Sequence, residues 1–330
     1  MSVTETSGEL RLDAKAQVEA RTPSKRMLVI VNPYATTVSD RLKHLVVYAL
    51  RSSYLVDAVD TERRGHATEL CREAAAADYD VVVAFGGDGT VNEAANGLAG
   101  SDTALTCLPG GRVNVYCRML GIPADVVDAT EYLLGLAGDW RPRKVDLGIV
   151  NGRYFAINCG VGLDAAVVQE VDAHPRLKTR LGEYYYAAVG TKTFSRRYLV
   201  NPPQLSVTLP DGTPPVQGVL AIVQNGERYT YFGKRPIDLV QGATLDSGDL
   251  SGIVLKRTNP LEIPSIAFRM LATESGVSRH RQVFPFRAVK ELRIVPVGKT
   301  RLPIQVDGDY IGEADEAIFS VAPRALSVVS

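Results

Sequence analysis

Four cysteines in 330 residues, none in a CxxC pair and none at zinc-like spacing with the four histidines, exclude a disulfide framework and a metal knuckle. Cys71, Cys107, Cys117 and Cys159 are expected reduced and buried, as in a cytoplasmic protein. No run of about 18 uncharged apolar residues exists, so no helical membrane span is expected. Charge of either sign is not in excess: 37 basic residues face 37 acidic ones. No global field therefore recruits nucleic acid or an anionic membrane, and membrane contact needs a local patch. Internal repeats and low-complexity linkers are absent as well. The first 25 residues are polar, lack the apolar core of a signal peptide and read as a mobile tail.

What is present is an ordinary globular composition, 45% hydrophobic and 22% charged, in a chain long enough for two domains. From Arg26 to about Gly138, short apolar runs such as "RMLVIVN", "DVVVAF" and "TALTCL" alternate with helix-like segments of about ten residues. This predicts an α/β domain, residues 26–140, whose parallel sheet carries helices on both faces. In such sheets ligands bind beyond the carboxyl ends of the strands, where Asn32-Pro33 and Gly86-Gly87-Asp88-Gly89 both fall. After "DWRPRKVDLGIV" the texture changes. Asn151-Gly152 signals a two-residue hairpin, a helical interval runs roughly from Asp164 to Arg197, and short β runs follow, interrupted by one helix near "PLEIPSIAFRML". Residues 141–330 are thus predicted as a mostly β sandwich domain, with an active-site cleft against the first domain. The last residues are free to return to that first domain.

The segment "DVVVAFGGDGTVNEAANGLAG" places three glycines around one aspartate between a buried strand and a helix. Glycine permits positive φ and close approach of backbone N–H groups to an anion. Thr90-Val91-Asn92-Glu93 fits a capping box at the next helix start, and a helix N-terminus favours phosphate. Asp88 among those amides points to a proton, a hydroxyl or a metal handled beside a phosphate; the alternative is a tight turn with a solvated carboxylate. A second loop, "CLPGGRVNVYCRMLGIP", puts Gly110 and Gly111 before another short helix. "GVGLDA" lacks the βαβ context of a dinucleotide fingerprint, and "VGKT" has no helix after it. Asp246, Asp249, Asp307 and Asp309 lie in Gly-rich turns of the β region, where Asp-Gly serves hairpins far more often than sites.

Taken in order, "LVIVNPYA", "GHATEL", "GGDGTVNEAANGL", "LPGGRVNVYCRMLGIP", "FAINCGVGLDA" and "VDGDYIGEADEAIFSVAPRAL" resemble the diacylglycerol kinase catalytic family, which also includes sphingosine and ceramide kinases. The bacterial two-domain lipid kinases are the best match, from Lys25 onward. The resemblance implies ATP- and Mg²⁺-dependent transfer of the γ-phosphoryl group to the hydroxyl of a diacylglycerol-like lipid. It further implies a cytoplasmic enzyme peripheral to the inner face of the membrane, with homo-oligomerisation open. Asn32 and Thr68 would line the nucleotide, and Gly86, Gly87, Asp88, Gly89, Thr90, Val91, Asn92 and Glu93 would wrap its phosphates, with Gly111, Arg112 and Asn114 alongside. For the general base, sphingosine-kinase relatives imply Asp88, whereas bacterial relatives imply Asp309 with Asp307 beside it. Asp309 is preferred here.

Three departures bear on activity. Arg112 replaces the family's threonine and Val115 its aspartate. In the segment of the family's structural metal, backbone oxygens at Thr244 and Asp249 and an aspartate at position 247 would hold the ion. This chain has Ser247 there, a poor Mg²⁺ ligand, with Asp246 and Asp249 as substitutes or the site empty. A binding relative without turnover, a sphingoid-base kinase and a kinase of a soluble hydroxyl substrate remain alternatives. Lys192, Arg196 and Arg197, following Tyr184-Tyr185-Tyr186, are candidates for membrane contact.

Overall fold

A computed structural model of the chain describes residues 25–174, 177, 183–193, 196, 202, 204–257, 259–272 and 276–330. The tail predicted over residues 1–24, Arg197 and the side chain of Tyr184 lie outside the described residues.

The first region alternates as its apolar pattern predicts: β1 (Arg26–Val31), α1 (Asp40–Leu50), β2 (Leu55–Asp60), α2 (His66–Ala76), β3 (Val81–Gly86), α3 (Asp88–Leu98) and β4 (Ala104–Pro109). The short α4 (Val115–Met119) and α5 (Val126–Leu136) close it. Strands β2, β1, β3 and β4 lie side by side and parallel. β3 and β4 are buried along their whole length, which is why both read as unbroken apolar runs rather than alternating ones.

The remainder is antiparallel. β5 (Arg143–Val150) turns at Asn151-Gly152 into β6 (Arg153–Phe155), with φ of 48° and 83° at the two turn residues, as the hairpin signal required. β7 (Asn158–Gly162), α6 (Leu163–Asp172) and α7 (Glu183–Thr193) follow, then β8 (Gln204–Thr208), β9 (Val216–Gly218), β10 (Leu220–Gln224), and a small hairpin of β11 (Thr230–Phe232) and β12 (Arg235–Ile237). β13 (Leu250–Leu255), α8 (Ile263–Ala272), β14 (Val283–Val289), β15 (Glu291–Val297), β16 (Leu302–Val306), β17 (Asp309–Ala314) and β18 (Ala317–Val328) complete the chain. One antiparallel sheet runs β14-β13-β10-β7-β16-β17.

Apart from the β11–β12 hairpin, the other β strands do not form a separate sheet. They extend the parallel one, in the order β2-β1-β3-β4-β18-β15-β8-β9, with β5 and β6 attached through β18. The device is the 12-residue β18. A bulge between Ala322 and Leu326, with Arg324 at φ 54°, bends it so that Val328 pairs in parallel with Leu105. Leu326, Val328 and Val329 thereby enter the core of the α/β region.

A second core fills the space between the two sheets, where Phe155 and Phe319 meet edge to face with centroids 6.2 Å apart. A third lies on the far face of the second sheet, under α6 and α8.

Two local expectations are corrected. The helix after the glycines starts at Asp88 with Gly87 as its cap, so Thr90 already lies inside it and Thr90–Glu93 is no capping box. Glu93 instead accepts from the amides of Gly65 (2.8 Å) and Ala67 (3.2 Å), capping α2, whose own cap residue is a side-chain-less glycine. Nor do the loop glycines serve by positive φ: none of Gly86, Gly87, Gly89, Gly110 and Gly111 adopts it.

Candidate active site

The site forms where β1, β3 and β4 end side by side. A Cβ on Gly110 would lie 2.8 Å from the Cα of Gly86, so the two glycine loops touch backbone to backbone. The amide of Gly110 donates to the carbonyl of Gly86 at 2.8 Å. What the glycines supply is therefore close approach at the N-terminus of α3, an end that favours negative charge. Asn32, at the end of β1, joins this floor by donating to the Thr90 hydroxyl at 3.2 Å.

Asp88 does not stand free. Its carboxylate accepts from the amides of Val115 (3.1 Å) and Tyr116 (3.0 Å), holding the start of α4 against the loop. Burial pushes its carboxyl up, opposed by those two amides and by the Arg118 guanidinium. Asn114 grips Gly111 from both sides, accepting from its N–H (2.8 Å) and donating to its carbonyl (2.7 Å). Val115, one of the departures, turns its side chain into the apolar core, where an aspartate would be desolvated. Arg112 is exposed beside the loop.

From the other side, the turn between β16 and β17 brings Asp307 and Asp309 to the same place. A Cβ on Gly89 would lie 2.8 Å from Oδ2 of Asp309, so this carboxylate sits directly over the start of α3. Arg64, exposed at the end of the β2–α2 loop, approaches it at 3.6 Å and donates to the carbonyl of Tyr310 at 3.2 Å. Asp307 is different in kind. It is buried and accepts four hydrogen bonds, from Asn92 Nδ2 (2.8 Å) and the amides of Ala156 (2.8 Å), Ile157 (2.9 Å) and Asn158 (2.9 Å). Burial pushes its carboxyl up to about 6 against the pull of these donors.

Sequence reasoning thus placed Asn32, Gly86, Gly87, Asp88, Gly89, Thr90, Gly111, Arg112, Asn114, Asp307 and Asp309 around one groove. Val91, Asn92 and Thr68, expected at the nucleotide, have side chains with other tasks in the structure. Val91 and Asn92 are 1% exposed, Val91 in the core and Asn92 spent on Asp307, the Tyr154 carbonyl and Arg153. The Thr68 hydroxyl donates to the carbonyl of Glu93 at 2.8 Å. Sequence reasoning missed Arg64, Arg118 and a buried support behind the turn: Gln305 donates to Asp164 (2.8 Å) and Asn158 (3.1 Å), and its Oε1 accepts from the Gly308 amide at 2.8 Å. Nothing in local sequence marks the pairs Arg64–Asp309, Gln305–Asp164 and Gln305–Asn158, which meet across 140 or more positions.

The segment of the family's structural metal does not fit an ion. Ser247 Oγ accepts from the amide of Thr244 (3.2 Å) and lies 3.1 Å from both the Thr244 carbonyl and Asp249 Oδ1, so the hydroxyl occupies the middle of its own turn. Asp246 is engaged by the Thr244 hydroxyl at 2.8 Å. The loop is anchored by Asp146, which accepts from the amides of Gly248 (2.6 Å) and Arg324 (2.7 Å). Among the described residues no group of three His, Cys, Asp or Glu is placed to hold a metal. Chelation is therefore expected to leave the melting temperature of the nucleotide-free protein unchanged, whereas Ser247→Ala costs about 1 kcal/mol in a denaturant titration. A melting temperature that drops with EDTA would overturn this.

Known proteins share the family and the fold. The model of the diacylglycerol kinase catalytic domain matches residues 26–149. A diacylglycerol kinase of Staphylococcus haemolyticus is 30% identical over 274 residues, 82% of this chain and 78% of that protein. One of Staphylococcus aureus is 30% identical over 295 residues, 88% of this chain and 87% of that protein. A crystal structure of a diacylglycerol kinase from Bacillus anthracis shares the fold with a TM-score of 0.71 at 24% identity, covering 94% of this chain and 98% of that one. The chain belongs to the diacylglycerol kinase family of lipid kinases.

Proposed function

We propose that this protein transfers the γ-phosphoryl group of ATP to the hydroxyl of a diacylglycerol-like lipid, with Asp309 as general base. The observation that carries the reading is the placement of Asp309 against Gly89, at the first turn of α3, while the Asp88 carboxylate is consumed by the amides of α4. The α/β region, to about residue 140, binds the nucleotide. Its phosphates rest on the adjoining glycine loops, which pack so closely that a side chain at Gly110 would collide with Gly86 and one at Gly86 with Thr90. The helix N-terminus stabilises the negative charge. Mg²⁺ bound with the nucleotide supplies neutralisation of phosphate charge. Asp309 accepts the hydroxyl proton as the lipid oxygen attacks, Arg64 orients Asp309, and Asp307 with its four donors fixes the turn. The lipid meets this groove from the β-rich region, residues 141–330.

Labelled ATP, Mg²⁺ and mixed micelles of diacylglycerol, monoacylglycerol, a sphingoid base and a polyprenol test the reading. A phosphorylated diacylglycerol is the expected product. Stabilisation by ATP with no labelled lipid would instead identify a binding relative, and a labelled sphingoid base would reassign the acceptor.

A further inference from the structure

α8 is apolar on both sides. Ile266 and, in part, Ile263 and Met270 pack inward against the second sheet. Outward, Pro264, Ala267, Phe268 and Leu271 lie on the solvent side, continued by Leu261 just before the helix. Leu261, Phe268 and Leu271 are 88%, 68% and 40% exposed. The spacing of 261, 264, 268 and 271 is that of one helical stripe, on the face where a surface helix ordinarily carries polar groups.

The exposed charges between Lys256 and Leu271 have one sign. Lys256 and Arg257 lead into it and are exposed, and Arg269 flanks it on the helix. Between Lys256 and Leu271 the only carboxylate in the sequence is Glu262, which is buried and paired with Arg281. In a chain with 37 charges of each sign, this is the local positive patch that the overall balance does not supply.

We infer that the outward face of α8 seats the enzyme on an anionic bilayer, Phe268, Leu261 and Leu271 entering the headgroup boundary while Lys256 and Arg257 meet lipid phosphates. The inference rests on the lipid-kinase reading for its purpose: no described helix is long and apolar enough to cross a membrane, so the acceptor must be met at a surface. A second copy of the chain fits this face poorly. Three large side chains fall short of the ~800 Å² per partner that a stable interface buries. The face is also on the correct layer: α8 shares its apolar cluster with α6, whose Gln169 and Asp172 hold Tyr310 beside Asp309. The last turn of α7 offers less, since its Lys192 is already paired with Glu170 at 2.5 Å.

Flotation of the full-length protein with phosphatidylcholine vesicles, with and without phosphatidylglycerol, tests the proposal. The wild type is expected to float with the anionic vesicles and to lose binding as salt rises. Leu261→Asp/Phe268→Asp should lower partitioning by at least about tenfold, consistent with the transfer free energy of two large apolar side chains. Lys256→Glu/Arg257→Glu should remove the phosphatidylglycerol dependence. Phosphorylation of vesicle-embedded diacylglycerol falls in parallel, while that of a monomeric short-chain acceptor is unchanged. Undiminished flotation of Leu261→Asp/Phe268→Asp, at wild-type melting temperature, would overturn the proposal. So would a wild-type dimer that this variant splits in sedimentation, because the face would then belong to a second copy. Flotation as expected with no turnover of either acceptor would leave the docking face standing and sink the kinase reading alone.

Discussion

Asp309→Asn is expected to lower kcat for lipid phosphorylation by about 10²–10⁴, the range for loss of a positioned general base, with the KM for ATP and the melting temperature near wild type. The carboxamide keeps the shape of the side chain over Gly89 but cannot take the proton. The contact with Arg64 is long, 3.6 Å, and lies between partly exposed side chains, where ion pairs contribute about 0–1 kcal/mol. Asp88→Asn should behave differently. Its carboxylate accepts two backbone amides that position α4, and a carboxamide turns an N–H₂ toward one of them. Stability and ATP affinity should then fall together, in a thermal-shift titration and in KM. Paired kinetics and melting curves separate the cases. If Asp309→Asn turns over normally while Asp88→Asn keeps its stability and loses kcat, the base is Asp88.

The contrast between these two aspartates shows what the sequence could convey. The α/β region was legible because β3 and β4 are buried on both faces and read as apolar runs, and because glycines and helix starts follow them at fixed offsets. The groove floor came with it. A return of the last residues to the first domain was open from the sequence, but the merging of the other β-rich strands into the same sheet was not legible, since it depends on one bulge in β18. Side-chain assignments failed for a related reason. Glu93 carries the pattern of a capping box, yet the neighbouring helix, whose cap is Gly65, lacked an acceptor and took it. Asp88 and Asp307 look like free loop acids, and only the amides of residues far along the chain show them engaged. Ser247 reads as a lost metal ligand, but its hydroxyl closes the turn without an ion. Val115 enters the core. Two of the three departures that argued for a binding module without turnover thus have structural explanations.

Asp307→Ala is expected to cost about 3–5 kcal/mol, the scale on which buried, multiply bonded acceptors are lost. Four donors would be orphaned at once: the Asn92 carboxamide from α3 and three consecutive amides, Ala156 to Asn158, leading into β7. Because Asn92 also holds the Tyr154 carbonyl, the junction between the glycine-loop helix and both sheets loosens together. The backbone adds a further penalty. Asp307 sits at φ 49°, a conformation that aspartate and asparagine tolerate better than alanine. Asp307→Asn keeps that tolerance and one acceptor oxygen, so it should recover part of the loss, whereas Asp307→Ala should not. Chemical denaturation gives the stability order wild type, Asn, Ala. Activity should follow the same order, because the turn that Asp307 fixes carries Asp309 two residues on. An Asp307→Ala protein with a wild-type denaturation midpoint but no turnover would assign Asp307 to the chemistry and not to the frame.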